Sequence, residues 1–352
     1  MFRMEPERVA AGGPCGPQLL HFAMERTTKM GENQTMTPKH KHKRIDPIGR
    51  RGFLGATGAI LAGGMLPGVV HAKPGTCADA CKGEMDTPRY RVGVCDWMIL
   101  KRQKLGAFGR TAEIGADGLE LDMGGLGKRP TFDSKLMDPI ERRRFLEAAA
   151  KHDLEICSIA MSGFYAQDFA NREVRPMVID TVNTMNLMGA KVAFLPLGVQ
   201  GDLIQYPEKR PAIVEKLRMA GELAEAGGVV IGIETALDAT GEVALLEEIG
   251  SPAIQSYFNF ANPLQAGRDL LEELEILGAE RICQIHCTDQ DGVWLEHNDR
   301  LDLRAAKRAL DAMGWRGWLV LERSRDANNP RDVVGNFGAN TRYVKSIFQD
   351  GA

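Results

Sequence analysis

Residues 191–236 read KVAFLPLGVQGDLIQYPEKRPAIVEKLRMAGELAEAGGVVIGIETA. The segment opens with a short apolar run, KVAFLPLG (191–198), and closes with another, GVVIGIETA (228–236). Between them, KRPAIVEKLRMAGELAEAGG carries apolar residues three and four positions apart and ends on two glycines. The two periods predict a strand, a helix stopped by glycine, and a second strand. A unit of this kind lays its two strands parallel in one sheet.

The same unit recurs from Tyr90 onward. Apolar runs fall at YRVGVCDWMI (90–99), GLELDM (118–123), LEICSIAM (154–161), KVAFLPLG, GVVIGIETA, IQSYFNFAN (254–262), ICQIHCTD (282–289) and GWLVLERS (317–324). Helical patterns such as PIERRRFLEAAAKHD and REVRPMVIDTVNTMNLMGA separate them, and a last helix around 336–349 closes the series. Eight strand–helix units over residues 89–352 predict an eight-stranded parallel (β/α)₈ barrel. A doubly wound open sheet would carry G-x-G-x-x-G after its first strand, and none is there. GGLGKRP (124–130) follows the second run, but its glycine spacing does not make a phosphate loop.

Residues 1–72 differ from the rest. IGRRGFLGATGAILAGGMLPGVVHA (48–72) has Arg50 and Arg51 before Phe53-Leu54, then a weakly apolar stretch rich in glycine and alanine. Val70 and Ala72 stand where a signal peptidase reads small residues. This resembles a twin-arginine export signal cut after Ala72, which predicts a periplasmic protein delivered by the export machinery. A membrane anchor or a buried Gly/Ala helix are the other readings, and the stretch is short and glycine-rich for a span. Residues 1–35 read as disordered, with Met30 and Met36 as alternative starts, and 73–88 as a linker.

The whole chain has 44 Lys+Arg and 47 Asp+Glu; the first 72 residues hold 10 and 5, leaving 34 and 42 for residues 73–352, a formal charge of −8. So acidic a body is a poor partner for nucleic-acid phosphates. Cys77 and Cys81 could pair in an oxidising compartment or remain free thiols on a frayed helix. Cys95, Cys157, Cys283 and Cys287 lie in apolar runs and read as small core residues. A homo-oligomer is left open.

In a (β/α)₈ barrel, reactive side chains stand at the C-terminal strand ends. The last four runs each offer a ligand there: Glu234 from GIETA, Asn259 or Asn262 from YFNFAN, His286 from IHCTD and Glu322 from VLERS. Neighbouring strands lie about 4.8 Å apart, so these groups can converge. Taken singly, each has a plainer reading, as a solvated rim carboxylate, a core histidine or an amide satisfying backbone. Together, two carboxylates, an imidazole and an amide oxygen make a hard site suited to Mn²⁺, Mg²⁺, Co²⁺ or Zn²⁺.

The order Glu234, YFNFAN, IHCTD and GWLVLERS resembles the sugar phosphate isomerase/epimerase family of xylose isomerase-like barrels, over roughly residues 89–349. The resemblance implies one divalent metal held by Glu, Asp, His and Glu from strands five to eight. It also implies two glutamates that move protons on the substrate. By position these are Glu234 and Glu322 as catalytic residues, with Glu234, Asn259, His286 and Glu322 as metal ligands. Asn262 and Asp289 then fall to substrate binding. Two departures stand out. Asn259 replaces the family's aspartate, and WLEHNDRLD (294–302) puts Glu296, His297 and Asn298 where the family often has glycines.

The expected chemistry is isomerisation or epimerisation of a small sugar or keto-polyol through an enediolate, with a glutamate pair as acid and base. A dehydratase or lyase on the same barrel and a non-catalytic exported sugar-binding protein are the rivals. Phosphodiester-cleaving relatives need a histidine-rich metal cluster, which a chain with seven histidines, two of them in KHKHK, is poorly placed to build. Trp97 reads as a wall for the sugar or as core, and Glu120 as a hydroxyl partner or a rim residue. Arg323 and Arg325 should point away from Glu322 by strand alternation. No phosphate cradle is visible, which favours an unphosphorylated substrate.

Overall fold

The computed structural model describes residues 88–349. The export signal, its cleavage after Ala72, and Cys77 and Cys81 lie outside the described residues. Each predicted apolar run forms a parallel strand: β1 Tyr90–Cys95, β2 Gly118–Asp122, β3 Glu155–Ala160, β4 Val192–Pro196, β5 Val230–Glu234, β6 Ile254–Asn259, β7 Ile282–His286 and β8 Gly317–Leu321. They pair in chain order, and β8 returns to β1 through Tyr90↔Gly317 to Val94↔Leu321, so the sheet closes. This is the (β/α)₈ barrel that the repeated unit predicts.

The connecting helices are α1 Gly106–Ile114, α2 Pro139–Lys151, α3 Arg175–Met188, α4 Arg210–Gly227, α5 Ala239–Ile249, α6 Ala261–Ala266, α7 Leu270–Leu277, α8 Leu303–Ala312 and α9 Val333–Phe348. Their ends follow local chemistry. α4 carries proline in its first turn and stops at Gly228, whose φ of 64° suits a residue without a Cβ. Asp138 and Asp238 start α2 and α5 by accepting hydrogen bonds from backbone N–H groups of the first turn. α9 begins three residues before the expected 336, because Asp332 accepts from the Gly335 N–H at 2.9 Å. Among the described residues no helix is long and apolar enough to cross a membrane.

Alternation along the strands divides the burial. Leu119, Leu121, Ile159, Leu195, Ile231, Ile233, Ile285 and Leu319 belong to the main apolar core, which also takes in residues of the surrounding helices. Residues one step out of phase, Glu120, Ser158, Phe194, Tyr257, Gln284 and His286, are fully buried inside the barrel. Close packing there sets residue size. A Cβ on Gly232 of β5 would stand 2.5 Å from Cys283 Sγ and 2.9 Å from Tyr257 Cβ, so glycine leaves room for the tyrosine. Cys95, Cys157 and Cys287 are buried free thiols and Cys283 is half-buried, as the apolar runs around them predict.

Candidate active site

The site rises in two layers. In the lower one, Gln284 Nε2 donates to Ser158 Oγ at 2.8 Å and to the Tyr257 hydroxyl at 2.9 Å. Both hydroxyls pass the polarity on, each donating to Glu120 Oε1 at 3.0 Å. Four strands thereby meet on one carboxylate. Glu120 is not a rim residue: it sits mid-strand on β2, facing inward and fully buried. Its other oxygen, Oε2, lies 3.3 Å from His286 Nε2 and accepts from Cys95 Sγ at 3.3 Å.

His286 joins the layers. Its Nδ1 lies 3.3 Å from Glu234 Oε2, so the ring is held between two carboxylates, and Phe194 packs edge-on at 4.7 Å. Burial alone would depress the imidazole pKa, but the hydrogen bonds to Glu120 and Glu234 outweigh it and push it up to about 10. The charged form satisfies both carboxylates, since only an imidazolium donates from both nitrogens.

The upper layer is the glutamate pair. Glu234 ends β5 and Glu322 follows β8, and two donors tie them together. The Tyr165 hydroxyl donates to Glu322 Oε1 at 3.0 Å and lies 3.5 Å from Glu234 Oε2. Asn259 Nδ2 lies 3.3 Å from Glu234 Oε1 and 3.5 Å from Glu322 Oε2. Burial, then the charges of Glu234 and Glu322, push the Tyr165 phenol well above its ordinary value, which keeps it a donor. Tyr165 comes from the short 3₁₀ turn Ser162–Ala166 after β3. Nothing in its local sequence separates it from the aromatic residues of the core.

Asn259 Oδ1 does not face the glutamates. It accepts from the Ala261 N–H at 2.9 Å, at the start of α6. A backbone N–H can only donate, so this contact fixes the amide with oxygen toward the helix and nitrogen toward the carboxylates. The divalent cation implied by the family resemblance would need that oxygen. Moreover, Glu234, His286 and Glu322 do not bring their ligand atoms within 4.8 Å of one another. Among the described residues the trio that does is Cys95, Glu120 and His286. The donor set at the strand ends therefore does not fit a four-ligand cation as built.

The remaining predicted residues lie around this centre. Asn262 Nδ2 donates to the Thr235 carbonyl at 3.0 Å, beside Glu234. Asp289 is buried and points into the 294–302 loop, where Asn298 Nδ2 donates to it at 2.8 Å and Arg300 Nε at 3.1 Å. Trp97 is half-buried and stacks on Phe194 at 6.3 Å with rings 7° apart, giving the site an aromatic wall. Arg323 Nε stands 3.7 Å from Glu322 Oε2, contrary to the alternation argument. β8 ends at Leu321, and Ser324 has a left-handed φ of 67°, so strand alternation no longer applies there. Arg325 does turn away, pairing with Asp291, to whose Oδ1 its Nε donates at 3.0 Å.

A family model described as "xylose isomerase-like TIM barrel" matches residues 108–340. The chain belongs to this family. A 2-epi-5-epi-valiolone 7-phosphate 2-epimerase from Actinoplanes sp. is 30% identical over 206 residues, covering 56% of this chain and 72% of the relative. Among solved structures, a sugar phosphate isomerase/epimerase from Parabacteroides distasonis superposes with a TM-score of 0.58 at 13% identity, over 75% of this chain and 97% of the other. A 3-keto-D-glucoside 4-epimerase from E. coli gives 0.58 at 15% identity, over 73% and 99%. At these identities the structural likenesses speak for the fold alone. This xylose isomerase-like barrel thus sets Glu234, Asn259, His286 and Glu322 at or just past the ends of β5 to β8, with the Asn259 amide nitrogen toward the glutamates.

Proposed function

We propose that the protein is an isomerase or epimerase of a small carbohydrate or keto-polyol, with Glu234 and Glu322 as its proton-transferring pair. One observation carries the reading: two carboxylates from opposite sides of the β5–β8 arc are held face to face by shared donors at the barrel mouth. One glutamate takes the proton from a carbon beside the carbonyl, and the other returns a proton. Return to the same carbon from the opposite face inverts it, and return to the neighbouring carbon moves the carbonyl. Negative charge then develops on the substrate oxygen, where a preorganised donor lowers the barrier. As a glutamate takes up the proton it releases the Tyr165 hydroxyl or the Asn259 amide that it held, and that donor is then free to meet this oxygen. Family membership and the Actinoplanes 2-epimerase support the same reaction class.

The test is deuterium exchange. In heavy water the wild-type chain should place deuterium next to the carbonyl of one member of a ketose panel. Glu234→Gln and Glu322→Gln should each slow this by about 10²- to 10⁴-fold, the usual weight of a positioned acid or base. Wild-type exchange rates in both variants would remove the pair from the reaction. Ketose binding without any exchange would instead indicate a carbohydrate-binding protein.

A further inference from the structure

The four oxygens of the glutamate pair each meet a donor from this chain. Glu234 Oε1 faces Asn259 Nδ2, and Glu234 Oε2 faces His286 Nδ1 and the Tyr165 hydroxyl. Glu322 Oε1 accepts from Tyr165, and Glu322 Oε2 faces Asn259 Nδ2. The oxygens that a divalent ion would need are thus already met by O–H and N–H groups.

We propose that Asn259 makes this carboxylate pair independent of a divalent cation, its amide and the Tyr165 hydroxyl holding the glutamates in the ion's stead. The reason lies in the turn after β6. The residue at 259 gives an acceptor to the Ala261 N–H, so only its second polar atom reaches the glutamates. With aspartate that atom is an oxygen of a third carboxylate, and three carboxylates crowded together favour an added cation. With asparagine it is an NH₂ with one hydrogen for each glutamate. A single atom thus converts a ligand into a donor without moving the backbone.

For what the site does, this rests on the proposed isomerase or epimerase reading; for what it binds, it stands alone. The experiment is a Mn²⁺ titration of the full-length chain, followed by loss of the free-ion electron paramagnetic resonance signal, with Asn259→Asp and Asn259→Ala beside it. Wild type and Asn259→Ala should take up no stoichiometric Mn²⁺. Asn259→Asp should bind one ion about 10- to 100-fold more tightly than either. One equivalent held by wild type as tightly as by Asn259→Asp would overturn the proposal. So would failure of a folded Asn259→Asp to gain affinity, or a purified wild-type metal that Cys95→Ser loses, which would seat the ion on Cys95, Glu120 and His286. Should Asn259→Asp fail to fold, the wild-type titration decides. Where deuterium exchange is found, chelator should leave its rate unchanged, and an absence of exchange would count against the function while leaving the ion result intact.

Discussion

Asparagine and aspartate have almost the same shape, so position 259 differs from the aspartate that the resemblance implies only in charge and in having a donor. The substitution can be read directly from YFNFAN, but its direction cannot. Which amide atom faces Glu234 depends on a backbone N–H two residues later, in a turn that residue type does not specify. Glu242 on α5 shows another residue-scale effect. Burial pushes its carboxyl up to about 7, with Thr235 Oγ1 donating to Oε2 at 2.8 Å. A carboxyl harder to ionise in the fold than in the unfolded chain stabilises the fold while protonated. That contribution is complete below its ordinary value of 4.5 and is lost as pH rises to about 7. Glu242→Gln is therefore expected to flatten the fall in Tm over this range. Above about pH 7 it should add on the order of 1–3 kcal/mol, read by thermal unfolding at several pH values. A wild-type Tm that rises over the same range would reverse the sign.

At the scale of elements, the 294–302 loop is tied down by buried polar residues outside it. Asp289 is reached by Asn298 and Arg300, and Leu295 N–H donates to Asn340 Oδ1 at 2.8 Å on α9. Arg300→Ala leaves a buried carboxylate short of its charged partner. Because the Arg300 side chain is 48% exposed, the cost should be modest, about 1–2 kcal/mol. It should appear as faster amide exchange across 294–302 with unchanged protection in β1–β8; a uniform loss would show that the tie supports the whole barrel. Sequence pattern located every strand here because each apolar run is bounded by glycine or polar residues. It could not assign Glu120 or Tyr165. Period-two alternation tells which face a residue takes but not its depth along the barrel, and Tyr165 lies on a five-residue 3₁₀ turn too short to show a period.

Across the whole molecule, the mature chain is read as beginning where the export signal ends. We propose cleavage after Ala72, and N-terminal sequencing of the periplasmic fraction should give Lys73 first. An intact N-terminus confined to the cytosol would reject export. Barrel closure is what the repeated unit could foretell, since eight successive units leave β8 beside β1. Contacts across the lumen were beyond it, because they join β2, β3, β6 and β7, which the chain separates by up to 166 residues in the Glu120–His286 contact. Those cross-lumen ties bear on divisibility. Cut between β4 and β5, the molecule would yield one piece with Glu234, Asn259, His286 and Glu322, and another with Glu120 and Tyr165. The first would carry the proposed proton-transferring pair with Asn259 and the second Tyr165, so the two donors that span the pair come from different halves of the chain.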